Sequence, residues 1–183
     1  MYIDNDTKLR VNINGHYKGF SRLDTPEIRA AANVVEIPDP VRGDDSFYYN
    51  TEQDAAPYLV VTPKPVESVR EMVKARAKAI RQQMETAGFP YMGKTFDSDE
   101  RSAIKINTAV QTAQVAGPSF TINWTAQDDT DVTMDQAAMF GMPVALATYA
   151  NALHVAYRAH KTAINEADFD TLLAYDVTAG WPE

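Results

Sequence analysis

Apolar and polar positions change their rhythm once along this chain, at Thr62-Pro63-Lys64-Pro65. Before that point apolar residues come in short alternating runs between turn formers, and after it they recur every three or four positions. Val11 to Tyr17 alternates around Asn14-Gly15, a pair that suits a tight hairpin turn. Thr25-Pro26-Glu27 opens a short helix to about Asn33, with Thr25 as cap and Pro26 in the first turn. Positions 34–37, 46–49 and 58–62 are further strands, separated by turns containing Pro and Asp. Neither a central strand nor a helix can continue through Pro63 and Pro65, so a domain boundary is expected there.

From Val66 the period is helical. Val69, Val73, Ala77, Ile80, Met84 and Ala87 share one side, with Arg70, Lys74, Lys78 and Arg81 elsewhere. Gly88 suits the left-handed position that ends this helix. Phe89, Tyr91 and Phe96 then flank Met92-Gly93 in a small hairpin. Asp97 or Ser98 is expected to cap a second helix over about 99–116, with Asp99 and Glu100 at its positive end and Gly117-Pro118 ending it. Positions 120–124 and 131–134 flank Asp-rich turn residues and form a second hairpin. A third helix runs over about 133–167, kinked or interrupted at its start by Gly141 and Pro143, and a short helix at 171–175 follows. The expected fold is α+β: a small β-rich domain over 1–65, then a helical domain over 66–183 with two short hairpins.

Composition narrows the function. The chain has 183 residues, with 45% apolar and 23% charged content, as in folded proteins rather than disordered ones. Net charge is −8, divided as −3 over 1–65, +2 over 66–110 and −7 over 111–183. This acidity argues against nucleic-acid phosphate as a partner. The basic first helix and the acidic C-terminal third instead point to electrostatic fit within the protein or between copies. Without cysteine, neither a disulfide nor a thiolate metal site is available. No signal peptide is expected from the N-terminal residues. Positions 136–157 contain no Asp, Glu, Lys or Arg, but Pro143, Asn151, His154 and many alanines make a helix buried by protein a better account than a membrane span.

That charge-free surface is wider than one partner stripe. The long helix is therefore expected to mediate self-association, with Met139, Met142, Leu146, Tyr149, Leu153 and Ala156 as interface residues.

Chemistry is harder to find. His154 and His160 lie six positions apart, about 120° around a helix rather than on one face, and His16 follows a turn glycine. Asp128, Asp129, Asp131 and Asp135 are the best candidates for a cation site, yet a calcium loop read from Asp129 would need glycine where Met134 stands and glutamate where Phe140 stands. Turn formation and a negatively biased helix start explain the same acids. Asp97, Asp99 and Glu100 are explained by capping before paired acid and base work need be invoked. No phosphate-cradling glycine loop or nucleophile elbow occurs, so no catalytic, metal or cofactor residues are assigned and an enzyme is not expected.

Taken together, Gly88-Phe89, Tyr91, Gly93-Lys94, Phe96, the run from Asp97 to Ser102, Trp124, Asp129, the alanine-rich helix and the closing Gly180-Trp181-Pro182 resemble a domain of unknown function. That domain is found towards the C-terminal ends of bacteriophage tail-fibre and tail-associated proteins. The resemblance covers about 66–183, with Thr130 in place of a glycine-like turn residue and Gly141-Met142-Pro143 breaking an otherwise continuous helix. It implies a non-enzymatic structural protein of the tailed-phage virion, near tail fibre or baseplate, made in the host cytoplasm and binding fibre or baseplate proteins. A fibre-assembly chaperone absent from the particle is the alternative. Receptor binding by the β-rich head, through Tyr17, Tyr48, Tyr49 and Tyr58, is compatible with the first reading.

Overall fold

The structure is a computed structural model and describes residues 1–11, 18, 23 and 25–182. The hairpin expected around Asn14-Gly15, with His16 and Tyr17, lies outside the described residues. The fold is α+β, and the chain divides into two compact units, Met1–Val69 and Arg70–Glu183.

In the first unit, β1 (Tyr2–Asp4) pairs antiparallel with β2 (Val34–Glu36), with α1 (Pro26–Ala31) before β2. The Thr25 hydroxyl accepts from the Ile28 N–H, so the expected cap is the one used. Val11, Leu23, Ala32 and Val34 form a small core, with Tyr2 and Ile28 packed against it. β1 is absent from the periodicity because three residues are too few to show a period, and its third residue is a buried aspartate. Asp4 is tolerated there because its carboxylate accepts from the Asp6 and Thr7 N–H groups and pairs with Lys18. β3 (Tyr48–Glu52) pairs with β4 (Leu59–Pro63). It starts two residues after its expected position because the N–H groups of Phe47 and Tyr48 both donate to the Asp44 carbonyl, closing a turn first.

α2 (Val66–Ala87), which belongs to the second unit from Arg70 onward, buries Val69, Val73 and Ala77 and half-buries Ile80 and Met84, as its period predicts, while Ala87 is exposed. Gly88 ends it at φ +116°. A side chain there would meet the Phe96 carbonyl oxygen at 2.8 Å, so this elbow requires glycine for both conformation and space. Two strands follow, β5 (Phe89–Tyr91) and β6 (Lys94–Phe96), paired Phe89 to Phe96. Met92 and Gly93 lie at φ 50° and 74°, the two left-handed residues of a type I′ turn.

α3 (Glu100–Ala116) is capped by Asp99, whose carboxylate accepts from the Ser102 N–H and hydroxyl. This corrects the expected cap at Asp97 or Ser98. Ser98 instead closes α2: its hydroxyl donates to the Glu85 carbonyl and accepts from the Gly88 N–H. Asp97 accepts from the Gln127 amide.

After a 3-10 turn at Gly117–Ser119, β7 (Thr121–Thr125) pairs with β8 (Asp131–Asp135). Thr130 causes no difficulty in the connecting turn. Asp129 takes the left-handed conformation at φ 59°, and the Asp128 carboxylate accepts from both the N–H and the hydroxyl of Thr130. Asp135 then caps α4 (Gln136–Glu166) by accepting from the Ala138 N–H, and α5 (Phe169–Leu173) is capped by Asp168.

α4 runs through Pro143 without interruption. Of the expected kink or interruption, the interruption does not occur, because packing outweighs the roughly 3 kcal/mol that an interior proline costs. α4 lies against α3, β5 and β8, and the shared core holds Phe89, Phe96, Ile106, Ala113, Met134, Met139 and Met142. Each of these side chains is fully or almost fully buried.

Candidate functional site

α4 organises the second unit, and its two faces differ. The face centred on Met139, Met142 and Leu153 is 0% exposed at all three residues. Leu146 and Tyr149 are half-buried against the same core, and Ala156 is half-buried further along. Of the six expected interface residues, Met139, Met142 and Leu153 are therefore buried within the chain rather than held out to a partner, while Leu146, Tyr149 and Ala156 keep partial exposure. The six lie along the helix's inward side, and the hairpins and α3 supply the cover over Met139, Met142, Leu146 and Tyr149.

Tyr91 anchors this inward face. Its hydroxyl donates to the Ala138 carbonyl at 2.7 Å, and its ring lies 6.4 Å from that of Phe96. Burial, with the Asp135 carboxylate as a smaller influence, pushes the phenol above its ordinary pKa. Gly141 makes room: a Cβ at that position would run into the Tyr91 hydroxyl.

The C-terminal end of α4 is closed by charge. The Arg70 guanidinium donates to the carbonyls of Ile164 and Ala167 at 3.1 and 2.9 Å, satisfying acceptors that a helix end leaves open and placing a cation at its negative pole. Arg81 stacks 4.6 Å over the Tyr157 ring and pairs with Glu85. Two cations of the basic α2 face, Arg70 and Arg81, are thus committed to α4.

His160 is buried at 7% exposure. Its Nδ1 lies 2.9 Å from the Tyr175 hydroxyl, and its ring stacks on Trp181 at 4.8 Å. The Trp181 indole N–H donates to the Val177 carbonyl. Burial raises the Tyr175 phenol above its usual pKa. His154 is exposed, so the two histidines do not meet.

Most of the acids nominated for chemistry, Asp97, Asp99, Asp128, Asp131 and Asp135, are engaged in local structure. Asp128 pairs with Lys94 at 2.7 Å, and that hydrogen bond, followed by the one from Thr130, holds its carboxyl down at about 2. Asp131 accepts from the Thr125 hydroxyl, and Asp135 and Asp99 are caps. Among the described residues, no group of three or more His, Asp or Glu is placed to hold a metal ion. No helix among them is long and apolar enough to cross a membrane.

Two surface features remain. One is a groove of about 630 Å³ between α3 and β7, lined by Ile104, Lys105, Thr108, Ile122, Asn123 and Trp124 among others. The other is the outward face of α4, where Phe140, Val144 and Val155 are 37%, 66% and 58% exposed. Pro143, Val144, Ala147, Thr148 and Asn151 line a shallow depression on it. Sequence reasoning missed this face because the apolar stripe over 139–156 is so broad that its two halves cannot be told apart by composition.

In the tyrosine set of the first unit, Tyr58 is buried and donates its hydroxyl to the Lys8 carbonyl, so it presents no stacking surface. Tyr49 is exposed, with Lys64 5.4 Å over its ring.

A capped-helix scaffold carrying two small hairpins on a long central helix thus defines the second unit. The chain belongs to the family described as Domain of unknown function (DUF4376), whose family model matches residues 68–179. No curated protein and no solved structure matches the chain.

Proposed function

We propose that this protein is a non-enzymatic structural component of a tailed-bacteriophage virion, in the tail-fibre or baseplate region, acting through protein–protein assembly. The observation that carries this reading is the exposed apolar outward face of α4, on a scaffold where Asp99, Asp128, Asp131 and Asp135 are already engaged in caps, a turn and an ion pair. An uncovered apolar face on a rigid helix suits a protein contact. Substrate chemistry would need free, convergent polar groups. The phage-tail context is supported by the order of motifs from Gly88 to Pro182 and by the likeness described above. In this reading the helical unit joins neighbours and itself, and the β-rich unit, with Tyr49 exposed, serves docking or attachment.

The test is mass spectrometry of purified virions. Recovery of this chain in stoichiometric amounts with tail proteins is expected. Its absence from particles, together with co-purification with immature fibre subunits, would replace the reading with that of a fibre-assembly chaperone.

A further inference from the structure

The outward face of α4 has a defined pattern. Phe140, Val144, Ala147 and Asn151 follow one another at spacings of four, three and four, and His154 and Val155 continue the row. Such alternation keeps one narrow seam facing a partner helix over successive turns. Phe140, Val144, Ala147, Asn151, His154 and Val155 are all exposed, and the first charged residue on the row is Arg158.

We infer that this seam is where a second copy of this chain docks, with the two α4 helices side by side and parallel. The inference rests on the assembly reading above and identifies its contact face.

Three observations favour a second copy over a different protein. First, the chain carries a net charge of −8, so two copies repel over most of their surfaces, while this face has no Asp, Glu, Lys or Arg between 136 and 157. It is a place where like molecules meet without opposing charge. Second, the polar residue in the middle of the seam is Asn151, whose side-chain amide has no hydrogen-bond partner among the described residues. An amide is both donor and acceptor, so it satisfies its own symmetry mate, which a lysine or a glutamate cannot do. In a parallel pair Asn151 meets Asn151, an arrangement that also fixes register. Third, the seam grades by size. Phe140 and Val144 give apolar anchors at one end, and Ala147 next to Asn151 lets the backbones approach closely enough for the two amides to bond.

The full-length chain tests this. Sedimentation velocity between about 1 and 100 µM, a range that brackets micromolar affinity, should show a dimer forming. Val144→Asp, at a 66% exposed position where the monomer fold has no need of the side chain, should keep the wild-type circular dichroism. It should weaken dimerisation by about a hundredfold or more, because each copy would bury an unpaired carboxylate. The chain has no cysteine, so a single substitution gives an unambiguous cross-link. Asn151→Cys should form a disulfide between copies on mild oxidation, whereas Asn107→Cys, at an exposed position on α3, should not.

A monomer throughout the concentration range, a dimer indifferent to Val144→Asp, or a dimer in which Asn151→Cys fails to link would each overturn the proposal. A monomer nevertheless present in purified particles would remove this interface and leave the virion reading standing. A dimer absent from particles would do the reverse.

Discussion

Replacing Gly141 by alanine sets helix propensity against packing at one position. Propensity alone favours the change by about 1 kcal/mol, because glycine in a helix interior pays more backbone entropy. The structure opposes it. The new Cβ would collide with the Tyr91 hydroxyl and sit 3.2 Å from the ring carbon that bears it. To make room, the phenol must give up its 2.7 Å hydrogen bond to the Ala138 carbonyl. A lost buried hydrogen bond costs about 1–3 kcal/mol and overpacking a comparable amount, so Gly141→Ala should destabilise the unit by about 1–5 kcal/mol net of the gain in propensity. Tyr91→Phe removes the colliding atom and leaves only the 3.2 Å contact with the ring, which a shift of a few tenths of an ångström relieves. In that background Gly141→Ala should be neutral or stabilising, giving a coupling of about 2 kcal/mol in the double-mutant cycle. Denaturant unfolding followed by tryptophan fluorescence suits the measurement, since Trp124 and Trp181 are the two tryptophans and both lie in Arg70–Glu183. A wild-type background in which Gly141→Ala stabilises would refute the reasoning.

Three further outcomes are expected. Leu153→Ala should cost about 2–5 kcal/mol and Val144→Ala no more than about 0.5, because the first side chain is fully buried and the second largely exposed; equal costs in denaturant titrations would contradict the assignment of the two faces. Gly88→Ala should destabilise by more than about 1 kcal/mol, since φ is +116° and the Phe96 carbonyl is 2.8 Å from the new carbon; a variant melting with the wild type would count against a rigid elbow. Lys94→Met should let the Asp128 carboxyl climb from about 2 towards its ordinary 3.8, as read by an NMR titration of that carboxyl. Because the folded pKa is the depressed one, the ion pair stabilises fully above pH 3.8 and that contribution is lost as pH falls through about 2, so the variant should lose less stability across this window. An unchanged Asp128 titration would show that Lys94 is not the cause.

Where local chemistry is self-sufficient, the sequence is readable. Thr25 before Pro26 starts a helix, Met92-Gly93 makes a turn, and Gly88 ends α2, because each depends on residues a few positions away. Choices between neighbouring groups are less legible. Asp97, Ser98 and Asp99 can all cap, and which one does depends on Gln127 and on the end of α2, both remote from the decision. The inward face of α4 was read as an intermolecular surface for the same reason. Met139 and Met142 announce that something covers them, but not that the cover comes from Phe89, Phe96 and Met134 of the same chain. Pro143 does not interrupt α4 because packing along the helix overrides the local rule.

The four sheets of the described residues contain two strands each, and an isolated pair of that kind is only marginally stable in water. β5–β6 and β7–β8 therefore borrow their persistence from α4, against which β5 and β8 pack. Their backbone amides should exchange with deuterated solvent at a common slow rate set by the opening of α4 rather than by each hairpin's own fraying. The unit would then let go as a single cooperative body, so that an event loosening the long helix anywhere along its inward face would be felt in both hairpins at once.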